Sequence, residues 1–195
     1  PVSIFMAGSP GAGKTEYSKR LILENDANVV RIDADDIRAV LPQYTGGNSY
    51  VVQAAAAIGV EKLYDYVLKK NLHMVMDGTF SNLGKARSNI QRSLDKSRVV
   101  QIFYLYQDPL VAWEFTKKRE AVEHRNIPRD AFIRGLFSAR DNVAQIQKEF
   151  GDRVVINIVK KNFKDNFEKV IENAALVDEH VTIGYTADEL RSLLI

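Results

Sequence analysis

The stretch that decides the fold is Gly8-Ser9-Pro10-Gly11-Ala12-Gly13-Lys14-Thr15. It satisfies the phosphate-binding pattern G-x-x-x-x-G-K-[ST] at every required position. The apolar run at residues 2–7 before it is typical of a short buried strand, and residues 15–23 after it favour a helix. Strand, loop and helix in this order form the context in which the pattern binds a nucleotide polyphosphate. We therefore expect all eight residues to form a nucleotide-binding loop.

Three residue types in this loop have different expected tasks. Glycines let the backbone turn so that N–H groups point at a phosphate, and the positive end of the following helix adds to the attraction. We expect the Lys14 ammonium to reach the outer phosphates and the Thr15 hydroxyl to bind Mg²⁺. Taken alone, the loop thus predicts a bound nucleotide polyphosphate together with Mg²⁺.

The composition is that of an ordinary globular protein. The chain has 195 residues, 46% apolar and 27% charged, with a formal net charge of +2 and no cysteine. A charge this small does not indicate a nucleic-acid or membrane partner, and the absence of cysteine removes disulfides and thiolate metal sites. The apolar N-terminal run is too short to span a membrane. We expect a cytoplasmic protein without membrane association.

Short β-branched runs alternate with helical stretches along the chain, which is typical of a mostly parallel sheet with helices on both faces. A long helix is predicted from about Ser49 to Lys70, with Asn48 or Ser49 as its cap. We expect one α/β domain over residues 1–195, with the three-layer P-loop NTPase fold. Its sheet should have five strands, at residues 2–7, 29–33, 72–76, 99–105 and 154–159.

Polar clusters follow the predicted strands, at the edge of the sheet where ligands bind in such folds. Three aspartates and an arginine lie within residues 33–38, directly after the second strand. Either Asp33 or Asp35 simply caps the next helix, or one aspartate accepts a proton from a substrate hydroxyl, as a kinase requires. Arg38 either holds the acceptor or pairs with Asp35 or Asp36.

A second cluster, Asp77-Gly78-Thr79, follows the third strand. Asp77 is either a carboxylate linked to Mg²⁺ through water or a ligand of an acceptor hydroxyl, and Thr79 adds a donor and an acceptor. The alternative is an ordinary turn, with Ser81 or Asn82 capping the next helix. We favour a substrate-binding role for Arg38, Asp77 and Thr79.

A basic segment follows the fourth strand, and we interpret residues 115–135 as a lid. Enzymes that transfer phosphoryl groups exclude water by closing an arginine-bearing segment over the phosphates. Arg119 and Arg125 are the arginines to which we assign this task. A solvated helix face accounts better for Lys117, Lys118 and Arg140.

Taken in order, these clusters resemble the zeta-toxin group of P-loop kinases. The resemblance covers about residues 3–153 and rests on the phosphate loop, residues 32–38, residues 77–79, and Arg119 followed by residues 125–128. Members of this group fold like nucleoside-monophosphate kinases. Characterised members transfer the ATP γ-phosphate to the 3′-hydroxyl of the amino sugar in UDP-N-acetylglucosamine, and a protein antitoxin blocks their ATP site.

The resemblance also implies roles for individual residues. Asp35 matches the general base of the group, and Arg119 and Arg125 match its two phosphate-binding lid arginines. Asp77 and Thr79 match a Glu-Gly-Thr element that holds the sugar acceptor, with aspartate here in place of glutamate. The implied partners are a nucleotide-sugar acceptor and an antitoxin covering the ATP site.

Two other functions fit parts of the pattern. Residues 35–38 also resemble the acceptor loop of polynucleotide kinases, although the basic face with Lys85 and Arg87 lacks the interleaved aromatic residues of a single-strand platform. A nucleotide-dependent switch without an acceptor is the second alternative. The base-reading motif Asn-Lys-x-Asp of GTPases is missing after the fifth strand, where residues 160–163 read Lys-Lys-Asn-Phe.

Overall fold

We describe the protein from a computed structural model, which describes residues 1–24, 28–45, 47–48, 50–123, 126–162 and 167–195. Strands and helices alternate through most of the chain, as the sequence predicts. The strands are β1 Val2–Ala7, β2 Val29–Asp33, β3 His73–Asp77, β4 Val99–Gln107, β5 Val154–Asn162 and β6 Phe167–Ile171. The helices are α1 Lys14–Glu24, α2 Ala34–Ala39, α3 Gln53–Lys70, α4 Leu83–Leu94, α5 Pro109–Glu123, α6 Arg129–Phe150, α7 Val177–His180 and α8 Ala187–Leu193.

The described strands form one sheet in the order β2-β3-β1-β4-β5-β6. β1 to β5 pair in parallel, whereas β6 pairs antiparallel with β5 at the edge. The α/β fold with a mostly parallel sheet is confirmed, but the sheet has six strands rather than the predicted five. β6 escaped prediction because it is short, largely exposed and interrupted by Glu168 and Lys169, so it carries no apolar run.

Helices cover both faces of the sheet. On one face, α3, α4 and α6 bury the largest core, which includes Tyr64, Ile90 and Val143 against Ile102 and Tyr104 of β4. On the other face, α1 packs over a smaller core, in which the ring of Tyr17 lies 5.6 Å from that of Phe103. Because the parallel strands share one direction, their carboxyl ends gather the loops that carry the polar clusters at a single edge.

Helix ends agree with the sequence in most places. Asn71 ends α3 in the left-handed conformation, with φ 56°, and Asn82 caps α4 through its side chain. The start of α3 was predicted wrongly, because the helix begins at Gln53 without a side-chain cap. Asn48 instead accepts a hydrogen bond from the N–H of Thr45 within the preceding loop, and Ser49 lies outside the described residues.

None of the helices among the described residues is both long enough and apolar enough to cross a bilayer.

Candidate active site

The predicted phosphate loop connects β1 to α1, which begins at Lys14. Gly8, Gly11 and Gly13 have φ of 138°, 73° and 82°, conformations that side chains with a Cβ rarely adopt. The loop also lies against α5. A Cβ on Gly11 would stand 2.0 Å from the carbonyl oxygen of Ala112, so at this position backbone meets backbone.

Replacing Gly11 with alanine should therefore destabilise the fold. We expect Gly11→Ala to lower the free energy of unfolding by about 3 kcal/mol, because it adds both left-handed strain and a clash with the backbone of α5. Urea denaturation measures the change. Gly184→Ala is the matched control, since no atom lies within 4 Å of a Cβ there, and its effect should stay below about 0.5 kcal/mol. Equal stability of the two variants would contradict the packing described here.

Lys14 lies across the loop from which it starts. Its Nζ donates to the carbonyl oxygens of Gly8, at 3.0 Å, and Ser9, at 2.7 Å. Burial lowers the pKa of the Lys14 ammonium to about 8, and the carboxylate of Asp77 is the strongest influence in the opposite direction. A phosphate group brought to this ammonium would add negative charge and favour its protonated form.

Two carboxylates lie behind the loop at the carboxyl ends of β2 and β3. Asp33 and Asp77 are opposite each other in the parallel register, and their side chains are 11% and 5% exposed. Burial is the main cause that raises the pKa of Asp33. Arg31 forms ion pairs with both carboxylates, and Asp77 also accepts a 3.0 Å hydrogen bond from the hydroxyl of Ser18 on α1.

The structure shows which aspartate caps α2 and which carboxylate pairs with Arg38. Asp33 is the residue that caps α2, because its Oδ1 accepts from the N–H of Asp35 at 2.8 Å. Asp35 instead forms an ion pair with Arg38, and its own side chain is 38% exposed. Arg38 is buried and also donates to the side chain of Gln53 at the start of α3. Asp35 is thus held at the second position of α2 with its carboxylate facing Arg38.

The segment after β3 is fixed against the phosphate loop. The N–H of Gly8 donates to the carbonyl oxygen of Thr79, at 3.3 Å, and the Thr79 hydroxyl is 2.8 Å from that of Ser81. Phe80 has φ 62°, an outlier for an aromatic residue. The side-chain amide of Asn142 on α6 donates to the carbonyl oxygen of Phe80 at 2.9 Å, which helps to hold that conformation.

One cavity of about 430 Å³ brings most of the predicted residues together. It opens between the phosphate loop, the start of α2, the end of β3 and the exposed face of α5. The predicted residues that line it are Pro10, Gly11, Gly13, Lys14, Thr15, Asp35, Arg38, Asp77, Thr79 and Arg119. Gly8, Ser9 and Ala12 are buried behind this wall as part of the loop.

Of the two arginines assigned to the predicted lid, the structure describes one. Arg119 lies on α5, is exposed, and lines the rim of the cavity. Arg125 lies outside the described residues. Phe115 and Ile127, which the sequence analysis did not assign, provide apolar surface at the same rim.

The oxygen atoms around the cavity fit a magnesium ion carried by a nucleotide. The Thr15 hydroxyl and the carboxylates of Asp33 and Asp77 are hard oxygen ligands that border the same space. Mg²⁺ retains waters and is usually held by one or two carboxylates together with substrate phosphates. Within the described part of the chain, no group of three or more acidic or histidine residues forms a complete metal cage. The donor set therefore suits Mg²⁺ that arrives with its nucleotide.

The chain matches a known protein family over most of its length. Residues 1–175 match the family described as Zeta toxin. The chain belongs to the zeta toxin family. The resemblance inferred from the ordered clusters is thereby confirmed, and as a zeta toxin family member the protein is a phosphotransferase of the kinase class. Curated proteins give no match.

Solved structures share the fold of this zeta toxin family member at low identity. A structure from the PezAT chromosomal toxin-antitoxin system of Streptococcus pneumoniae is 22% identical with a TM-score of 0.71, over 100% of this chain and 78% of that one. The structure of AvrRxo1-ORF1:-ORF2 with ATP is 14% identical with a TM-score of 0.71, and the match covers 88% of this chain and 57% of that one. The Pnkp1/Rnl/Hen1 RNA repair complex is 19% identical with a TM-score of 0.59, and the match covers 90% of this chain and 49% of that one.

Sequence reasoning missed Arg31 and Gln53. Each acts on a predicted residue through a contact with another element, Arg31 from β2 to Asp77 of β3 and Gln53 from α3 to Arg38 of α2. A signal for Arg31 was present, because it alternates with Asp33 along β2 and so shares its face. Gln53 carried no signal, since the start of α3 was placed four residues too early.

Proposed function

We propose that this zeta toxin family member is an ATP-dependent small-molecule kinase. It transfers the γ-phosphate of ATP to a hydroxyl group of a nucleotide sugar such as UDP-N-acetylglucosamine. The observation that carries the proposal is the single cavity with Lys14 and Thr15 at one side, Asp35 and Arg38 at the other, and Arg119 at the rim. A donor site that faces an acceptor site is what a kinase needs, whereas a switch needs only the first.

In the proposed reaction, the acceptor hydroxyl attacks the γ-phosphorus. A bond forms between the acceptor oxygen and phosphorus, the bond to the β,γ-bridging oxygen breaks, and ADP leaves. Asp35 accepts the proton of the hydroxyl, and Lys14 stabilises the charge on the transferring group and on the leaving oxygen. Arg38 orients Asp35, and Thr79 contacts the acceptor.

Mg²⁺ would be held by the Thr15 hydroxyl and, on the carboxylate side, by Asp77 with Asp33 beside it. When bound, this ion neutralises the charge that develops on the phosphate oxygens. The contacts of Asp77 with Ser18 and Arg31 support a place on the donor side of the cavity. For this residue we therefore propose the metal role, the other alternative that the sequence left open, in place of the acceptor-binding role that we favoured from the sequence.

The segment at residues 115–135 is proposed to close over the phosphates within a single kinase domain spanning residues 1–195. Arg119 and Arg125 would then contribute charge to the transition state, with Phe115 and Ile127 excluding water. The exposed position of Arg119 at the rim supports this role, because a lid residue must reach the ligand from outside the loop.

A protein antitoxin that covers the ATP site is the proposed partner. The support is that a structural neighbour comes from the PezAT chromosomal toxin-antitoxin system. The cytoplasm is the proposed location, because ATP and nucleotide sugars are available there.

ATP affinity should fall as the pH rises above about 8. The pKa of Lys14 in the free protein is about 8, and the phosphates of ATP raise it in the complex. Below this pH the ammonium is charged in both states, whereas above it ATP binding must take up a proton. The Kd should then rise by up to about tenfold per pH unit. Calorimetry in two buffers of different ionisation enthalpy measures both Kd and proton uptake, and an unchanged Kd across this range would contradict the prediction.

The function is tested by incubating the protein and Mg²⁺ with γ-labelled ATP and three acceptors. These are UDP-N-acetylglucosamine, UDP-glucose and an oligonucleotide with a 5′-hydroxyl end. We expect label on a nucleotide sugar, with transfer that does not depend steeply on salt. Label on the oligonucleotide alone, weakening as salt increases, would replace the proposal with a polynucleotide kinase. ATP hydrolysis without any labelled acceptor would point to a switch instead.

A further inference from the structure

Arg31 carries the densest charge network among the described residues near the cavity. Its side chain is only 12% exposed and forms ion pairs with Asp33, Asp36 and Asp77, which come from β2, α2 and β3. Its Nε also donates to the hydroxyl of Ser18 on α1, at 3.3 Å. The roles proposed above for the phosphate loop, the base and the lid leave this arginine without a task.

The two buried partners of Arg31 need a positive charge. Asp33 and Asp77 are register partners on adjacent parallel strands, and two carboxylates buried side by side repel each other. Arg31 contacts one Oδ2 atom on each of them, so a single guanidinium bridges the pair. The third partner, Asp36, is 63% exposed and competes for the same guanidinium from the solvent side.

The bridged pair lies next to the predicted phosphate site. Asp77 is the strongest of the carboxylates acting on Lys14, and Ser18, one turn after Thr15 on α1, joins Asp77 to that helix. A change in the net charge of the pair is therefore felt by an anion bound to the loop, because interactions between charges in a partly buried site are weakly screened.

We propose that Arg31 is a positioning residue that neutralises the Asp33–Asp77 pair and thereby sets how strongly ATP binding depends on Mg²⁺. The inference rests on the proposed ATP site. With Arg31 in place, the pair repels a polyphosphate only weakly, and the protein binds metal-free nucleotide with measurable affinity. Without Arg31, the same carboxylates repel the free nucleotide and favour its magnesium complex.

The test measures nucleotide binding and needs no acceptor. Calorimetry gives the Kd of the non-hydrolysable analogue adenosine 5′-(β,γ-imido)triphosphate in EDTA and in Mg²⁺. The Kd in EDTA divided by the Kd in Mg²⁺ is the ratio that is compared between variants. We expect Arg31→Met to raise this ratio about tenfold, and Arg31→Lys, which keeps the charge, to stay within about threefold of the wild type. An unchanged ratio in folded Arg31→Met would overturn the proposal.

Arg92→Met is the matched control. Arg92 also bridges carboxylates, Glu61 of α3 and Asp65 of the same helix, but it does so away from the cavity. The control variant loses the same charge, but away from the nucleotide. Its ratio should therefore equal that of the wild type. A rise equal to that of Arg31→Met would assign the effect to net charge and overturn the proposal.

Asp36→Asn keeps the proposal testable even if Arg31→Met does not fold, because Asp36 is largely exposed. Removing this competitor leaves more of the Arg31 charge for the buried pair, so the ratio should fall about threefold. Asp65→Asn is its control, being similarly exposed and paired with Arg92. A ratio that rises or does not change in Asp36→Asn would count against Arg31. If the analogue binds but the labelling assay with ATP shows no phosphoryl transfer, the proposed acceptor chemistry is wrong and this inference still stands.

Discussion

Lys14→Ala should reduce phosphoryl transfer by at least about a thousandfold, the scale on which single charged groups act in phosphoryl-transfer sites. The ammonium of Lys14 lies inside the loop, hydrogen-bonded to two of its carbonyl oxygens, and from there we expect it to meet the γ-phosphate. Alanine removes that charge while the glycines and their conformations remain. The rate is measured with saturating ATP and Mg²⁺, using whichever acceptor the labelling experiment identifies.

The loss should come without a loss of stability. Because burial lowers the pKa of Lys14, the folded state holds the charged ammonium less favourably than the unfolded state does at neutral pH. Lys14→Ala should therefore change the melting temperature little, because relief of this penalty offsets the loss of the hydrogen bonds to Gly8 and Ser9. Lys19→Ala is the matched control, since Lys19 is exposed on the same helix, and it should retain full transfer. Transfer by Lys14→Ala within about tenfold of the wild type would refute the role of the lysine.

The phosphate loop could be predicted because its chemistry fixes both residue type and spacing. Gly8, Gly11 and Gly13 all adopt positive φ, and a motif of fixed spacing reports such local backbone requirements directly. The strand ends were predictable for a related reason. A parallel sheet brings the carboxyl ends of its strands to one edge, so polar residues after each strand converge without any knowledge of their contacts.

What could not be predicted depends on contacts between elements. Arg31 reads as an ordinary strand residue until β3 places Asp77 beside it, 46 residues further along the chain. The choice between Asp33 and Asp35 as the cap of α2 was open for a similar reason. Both residue types cap helices well, and the ion pair with Arg38 that occupies Asp35 becomes evident only from the geometry of α2.

The boundaries of α3 and β6 show the limits of periodicity. The apolar spacing extends upstream of α3 to Tyr50 and Val51, yet both side chains are exposed, as is that of Ile58 within the helix, so here the pattern does not mark a buried face. β6 lacks an apolar run because it lies at an edge and pairs Glu168 with Lys161 across the strands. Both errors arise because apolar residues served as the sign of a helix or strand. That sign depends on burial, so it is reliable in the interior and unreliable for exposed segments and edge strands.

Asp35→Asn is expected to reduce transfer by at least about a hundredfold while leaving ATP binding within about threefold of the wild type. Asparagine preserves the size of the side chain and its place at the second position of α2, where Asp33 provides the cap. It cannot accept the proton of the acceptor hydroxyl, and loss of a general base costs about a hundredfold to ten-thousandfold in rate. Single-turnover transfer with preformed ATP·Mg²⁺ complex separates this step from binding.

A control with the same local geometry is available on α8. Asp188 pairs with Arg191 three residues on, as Asp35 pairs with Arg38, and each aspartate lies in the first turn of its helix. Asp188→Asn should therefore show what loss of such an ion pair does to stability, with no effect on transfer. Because Arg38 is buried, Asp35→Asn should cost more stability than Asp188→Asn, and melting temperatures measure this difference. Full transfer by purified Asp35→Asn would remove Asp35 as the base and shift the proton acceptor to the Asp33–Asp77 pair or to solvent.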